Sequence, residues 1–245
     1  MPQLSYEALL RTLRDRRTGG VFFFHGEEDY LREEAVSRVV EAYLDPSTRD
    51  FNFDLLSGAE VSPEGLASMI ATPPMMAEWR VVVVRDGQGL SPKAREAVEA
   101  AAVAPPQGLV LVVSAAIPAG SKAKFYTELQ KQAYSVEFAT LDPMDAPGWL
   151  IEQASAVHGK TLEPDAASAL VSAIGTSLGT LSSELSKLAG YAADRPGITL
   201  EDVRAVGGSL PRYDRWSWFD LIGERKLAEA MRLLPILLEA GENGV

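Results

Sequence analysis

Arg80-Val81-Val82-Val83-Val84-Arg85-Asp86-Gly87 is the stretch on which the fold turns. Four consecutive β-branched residues lose side-chain freedom in a helix and fit a pleated sheet, so residues 81–84 read as a strand. No polar residue interrupts the run. Both faces of the strand must therefore be covered, which is the condition of an inner strand in a parallel sheet. Leu109-Val110-Leu111-Val112-Val113 reads the same way. Between the two, Ser91-Pro92 offers an N-cap and a proline at the first helical position. That helix runs to Val103 and stops before Pro105-Pro106.

The same rhythm continues outward. Val21-Phe22-Phe23-Phe24 is an apolar run ending at His25-Gly26, and Phe51-Asn52-Phe53-Asp54-Leu55-Leu56 is a further strand candidate closed by Ser57-Gly58. Tyr134-Ser135-Val136-Glu137-Phe138 alternates, which suits an edge. Leu31, Ala35, Val36, Val39, Val40, Tyr43 and Leu44 make one helical stripe, with most of the charges off it. A further helix is expected from Ser121 to about Gln132. Strands alternating with helices predict an α/β doubly wound parallel sheet over residues 1–140.

Beyond Leu141 the strand signals end. Helical stripes follow at Trp149–Val157, Pro164–Ile174 and Leu178–Tyr191, and Ile198-Thr199-Leu200-Glu201-Asp202 reads as a short extended piece capping one more helical turn. This predicts a small helical domain over 141–208. Gly207-Gly208-Ser209 reads as a linker. A last helix is expected from Trp216 towards Leu238, kinked at Pro235. Its apolar residues Met231, Leu233, Leu234, Ile236, Leu237 and Leu238 need a surface to pack on. Either they dock on the helical domain or the chain is part of a longer protein; the second is the expectation here.

Composition narrows the function. The chain has 245 residues, 47% of them hydrophobic and 23% charged. That is long enough for a sizeable core and, at roughly 150 residues per domain, for one or two domains. It has no cysteine and two histidines, His25 and His158. A disulfide scaffold, a thiol nucleophile and a cysteine-ligated zinc are excluded, and no metal site is expected. No apolar run approaches the ~18–20 residues of a membrane helix, and the N-terminal stretch has no signal-like core, so a cytoplasmic protein without membrane contact is expected. The net charge of -11 favours protein partners over direct duplex binding. Lys122, Lys124 and Lys131 form a basic helix face that reads as solvated.

The turn after the first strand is where P-loop proteins hold phosphates, in the pattern G-x-x-x-x-G-K-[ST]. Here it reads Gly26-Glu27-Glu28-Asp29-Tyr30-Leu31-Arg32-Glu33. Only the first glycine is present. Leu31 replaces the second, Arg32 the lysine and Glu33 the magnesium-binding hydroxyl. Residues 27–34 hold five acids and one arginine, a local charge of -4 that repels phosphate. The valine strand ends at Asp86-Gly87, where an NTPase would carry an Asp-Glu pair. Asp86 alone suits a turn. Met75 and Met76, taken by themselves, fit a packed helix–strand junction.

The run 80–86, the helix after it, Pro105-Pro106 and the run 109–113 together resemble a clamp-loader module of the AAA+ superfamily. The details resemble the delta-subunit family of bacterial DNA polymerase III. The supporting stretches are Phe24-His25-Gly26-Glu27-Glu28, Phe51-Asn52-Phe53-Asp54, Ala71-Thr72-Pro73-Pro74-Met75-Met76, Lys124-Phe125-Tyr126-Thr127-Glu128-Leu129, Glu184-Leu185-Ser186-Lys187-Leu188 and Ile198-Thr199-Leu200-Glu201-Asp202-Val203. They occur in the family's order along nearly the whole chain.

The resemblance implies a RecA-like AAA+ domain over 1–140, a helical lid domain over 141–208 and, over 209–245, the beginning of a helical collar domain. It implies a subunit that binds the sliding clamp (the beta subunit) and opens its ring during replication. The other implied partners are the gamma/tau and delta prime subunits, with DNA met through the assembled complex. No cofactor and no catalytic site of its own are expected, although the holoenzyme is a DNA-directed DNA polymerase. Gly179 stands where lid domains of ATPase relatives carry an arginine. The family's clamp-binding pair falls on Met75 and Met76, with Trp79 and Arg80 as flanking candidates. Where some clamp-binding motifs carry glutamine, position 71 is alanine. The alternatives are a divergent AAA+-like nucleotide hydrolase, or a scaffold with another partner.

Overall fold

The computed structural model describes residues 4–15, 19–118 and 120–206, and beyond them 219, 221–228, 230, 231 and 234. The chain divides into two compact units, residues 1–140 and 141–245. The linker expected at 207–209 and the kink at Pro235 lie outside the described residues, as does most of the helix expected from Trp216.

In the first unit, α1 (Tyr6–Asp15), β1 (Gly20–His25), α2 (Asp29–Tyr43), α3 (Arg49–Asn52), β2 (Phe53–Ser57), α4 (Pro63–Ala71), β3 (Arg80–Arg85), α5 (Pro92–Val103), β4 (Leu109–Ala115), α6 (Lys124–Gln132) and β5 (Tyr134–Glu137) follow in order. The five strands form one parallel sheet in the order β2-β3-β4-β1-β5, with β5 at an edge as its alternation requires. Val81 to Val84 are fully buried, as a two-faced strand demands. Strand pleating sends their side chains to opposite sides. Val82 and Val84 join Phe23, Leu111 and Val113 under α4, α5 and α6. Val81 and Val83 join Phe22, Phe24, Val110 and Val112 under α1 and α2. Burying each such side chain contributes about 1.5–3 kcal/mol, so these two layers dominate the unit's stability.

Local signals set most of the ends. Ser91 caps α5, its hydroxyl accepting from the Ala94 amide at 3.3 Å, with Pro92 next in line. Two expectations move. The strand expected from Phe51 begins at Phe53, because Phe51 and Asn52 complete the short helix α3. The helix expected from Ser121 begins at Lys124. Helices α1 and α4 were not singled out by pattern.

The second unit contains α7 (Ala146–His158), β6 (Thr161–Leu162), α8 (Pro164–Ile174), α9 (Leu178–Ala192), β7 (Gly197–Ile198) and α10 (Leu200–Val206). Its core includes Leu150, Leu162, Leu170, Leu181, Leu185, Leu188 and Ile198. Helices dominate, as the stripes require, and the two-residue parallel pair β6–β7 joins them. A strand of two residues leaves no period to detect. Thr199 and Asp202 form a capping box at α10: Asp202 accepts from the Thr199 amide at 2.9 Å, and Thr199 Oγ1 accepts from the Asp202 amide at 3.3 Å. Arg195 grips the same carboxylate with both nitrogens, at 3.0 and 2.7 Å. That guanidinium holds the Asp202 pKa down at about 2.

Candidate binding site at the methionine loop

Helix α4 ends because Pro73 and Pro74 cannot continue it. Pro73 also restricts Thr72, which takes an extended conformation at φ -73°, ψ 122°. The loop from Thr72 to Trp79 then crosses to β3. Gly108 sits beneath it at φ +76°, and a Cβ there would come within 2.8 Å of the Pro74 ring. A bare backbone therefore lets the loop lie close.

Met75 and Met76 stand on this loop, 54% and 90% exposed. Met76 is left-handed at φ +55° although it is not a glycine. That conformation costs about 1–2 kcal/mol and persists only where surrounding contacts impose it. Asn52 supplies such contacts. Its carboxamide is fully buried. Its Oδ1 accepts from the Met75 amide at 2.7 Å, and its Nδ2 donates to the Met75 carbonyl at 2.8 Å and to the Thr48 carbonyl at 3.1 Å.

Trp79 and Arg80 have partners within their own unit. Trp79 is half-buried and meets the Tyr43 ring edge-on at 5.4 Å. Arg80 donates to the Phe51 carbonyl at 2.6 Å and forms an ion pair with Asp54. The phenyl ring of Phe51 itself is 59% exposed. Lys122, Lys124 and Lys131 are exposed, and Lys131 pairs with Glu128.

The turn after β1 is filled by the chain itself. Gly26 has φ +125°, and a Cβ there would collide with the Phe138 carbonyl. The Glu28 amide donates to that carbonyl at 3.0 Å, and the Phe138 amide donates to the His25 carbonyl at 2.7 Å. The Glu28 carboxylate caps α2 by accepting from the Tyr30 amide at 3.2 Å. A side-chain anion thus sits at the helix N-terminus where a phosphate would. Leu31 is half-buried, packed against the core under α2. Arg32 is buried; it pairs with Asp29 and donates to Ser114 Oγ at 3.0 Å. Glu33 pairs with Arg85. Asp86 is an exposed turn residue in the left-handed region, accepting from Gln88 at 3.2 Å. Gly179, in the second unit, is the second residue of α9 and offers no side chain. A cleft of about 600 Å³ lies between the end of α2 and the methionine loop, walled by Tyr43, Leu44, Arg49 and Trp79 and by no residue of the β1–α2 turn. Among the described residues, no cluster of three His, Asp or Glu side chains is placed to hold a metal ion, and no helix is long and apolar enough to cross a membrane.

Residues 22–139 match the family model described as DNA polymerase III, delta subunit. Over that stretch the chain is similar to that family. It is 25% identical to DNA polymerase III subunit delta of Bacillus subtilis, over 96% of this chain and 70% of that protein. The solved structure of the Bacillus subtilis DNA clamp loader delta protein superposes with a TM-score of 0.73, at 25% identity, over 96% of this chain and 72% of that one. The Thermotoga maritima RuvB Holliday junction branch migration motor, at 14% identity and a TM-score of 0.51, shares the fold. The similarity to the delta-subunit family and the AAA+-like fold agree with what the sequence leads one to expect.

Two residues have roles that the sequence pattern does not reveal. Asn52 falls within an expected strand; an amide between two phenylalanines is the available signal, since a buried amide must find partners. Glu28 in the β1–α2 turn contributes charge in the sequence pattern, and its place directly before the helix is the signal for its role as a cap.

Proposed function

We propose that this chain is a clamp-loader delta subunit that binds the sliding clamp through Met75 and Met76 and favours the open ring. The observation that carries the reading is the exposure of two adjacent methionines on a braced loop. Methionine is flexible and polarizable and fills an irregular apolar pocket well. The prolines and the Asn52 brace reduce the freedom lost on docking. Burial of the exposed parts of the two side chains supplies about 2–4 kcal/mol. A bound partner shifts an equilibrium only by its differential affinity for the two states, so the open ring must be bound more tightly than the closed one. Trp79 and Arg80 support the loop from behind in this reading.

The chain contributes no catalytic site. Its β1–α2 turn is occupied by Glu28, Arg32 and the Phe138 carbonyl, so nucleotide acts through the gamma/tau and delta prime neighbours, and DNA is met through the assembly. Calorimetric titration with a bacterial sliding clamp tests the site. Met75→Ala with Met76→Ala is expected to weaken binding by about 100-fold, with unchanged circular dichroism. No binding by the unmutated chain would remove the reading. A clamp whose ring interface has been weakened should bind more tightly than one cross-linked shut; equal affinities would remove ring opening. Nucleotide binding in a fluorescence titration would revive the hydrolase alternative.

A further inference from the structure

We infer that Asn52 is the positioning residue of the clamp-binding loop; the inference rests on the clamp reading of Met75 and Met76. Asn52 lies 23 residues before Met75 in sequence, on a different element, and touches no exposed surface. Its carboxamide pairs with both the amide and the carbonyl of Met75. A primary amide is the side-chain group that donates and accepts in one plane, so it completes for Met75 the pair of bonds that a neighbouring strand would make. Its third bond, to the Thr48 carbonyl, ties the carboxamide to the start of α3.

The consequence falls on the next residue. Once both polar groups of the Met75 backbone are fixed, the chain must turn within one residue, and Met76 takes the left-handed conformation at φ +55°. That turn presents the thioether of Met76 to solvent. Arg80 steadies the same corner, through the Phe51 carbonyl and Asp54. Asn52 therefore acts on the partner through the methionines and makes no contact of its own.

The experiment compares Asn52→Ala and the nearly isosteric Asn52→Asp, which keeps the acceptor and loses the donor. Val98→Ala, a core change remote from the loop, controls for general destabilisation. Hydrogen exchange at the Met75 amide is read in the free chain, and affinity is read against a bacterial sliding clamp. Asn52→Ala should speed Met75 exchange, whereas Asn52→Asp still accepts from that amide but sets a carboxylate against the Met75 and Thr48 carbonyls; both should weaken clamp binding by about tenfold, the effect of losing an ordered docking loop, and Val98→Ala should do neither. The decisive readout is a cycle with Met76→Ala. In that background Asn52→Ala should weaken binding by no more than about twofold, because the group it positions is gone. A merely structural role would give the same loss in both backgrounds and overturn the inference. Unchanged Met75 exchange with unchanged affinity would overturn it too, while leaving the clamp reading intact. Absence of binding by the unmutated chain removes the clamp reading and the positioning role with it.

Discussion

Met76 shows how little of a residue's role is written in its type. A methionine beside prolines fits a packed junction as well as a partner contact; its left-handed backbone and 90% exposure place it outside the packed core of its own unit. His25 makes the opposite case. It ends β1 with 2% exposure, stacks on Phe23 at 4.8 Å and shares a hydrogen bond with Ser135 Oγ at 3.1 Å. Burial pushes its pKa below the ordinary value, with Glu137 opposing only in part. The folded state thus holds its proton less tightly than the unfolded state does. Stability is fully present above the unfolded pKa of about 6.5 and is lost as pH falls through the folded value. Urea denaturation at pH steps from about 7 down to 5 should show this loss, and His25→Gln should flatten it; an equally steep slope in the variant would assign the loss elsewhere.

At the scale of elements, the start of α2 leaves no room for a phosphate in the β1–α2 turn. Its N-terminus is satisfied by Glu28, and the Phe138 carbonyl lies against Gly26. Leu31→Gly, Arg32→Lys and Glu33→Ser together recreate the P-loop spelling without clearing either group. That triple variant should still bind no ATP in a fluorescence titration, and measurable binding would show that spelling alone closed the site. The inner strands were legible because period and branching agree there. Four residues of β3 and five of β4 could be read with no tertiary information, since an unbroken apolar run has one stable setting. The start of β2 was not, because Phe51 and Asn52 look like strand and are held in α3 by bonds to distant groups. Of the pair β6–β7, the extended piece expected at Ile198 marks β7, while β6 is too short to leave a pattern.

At the scale of the whole molecule, two compact units on one chain predict separable stability. Residues 1–140, expressed alone, should melt in one cooperative transition and keep the clamp affinity of the whole chain, since every residue of the methionine loop and its brace lies there; loss of affinity in a folded fragment would give the second unit a share in the surface. The net charge of -11 agrees with a protein rather than a duplex as direct partner. The parallel sheet and the departure of residues 26–33 from the phosphate-binding pattern can be read from the chain alone, because runs of apolar residues and missing ligand types are local properties. The folded chain alone shows that Glu28 and the Phe138 carbonyl fill the β1–α2 turn, that Trp79 meets Tyr43 and Arg80 pairs with Asp54, and that Asn52 grips Met75. Each of these is a contact between segments far apart in sequence, and hydrogen-bond geometry exists only once the sheet has brought those segments together.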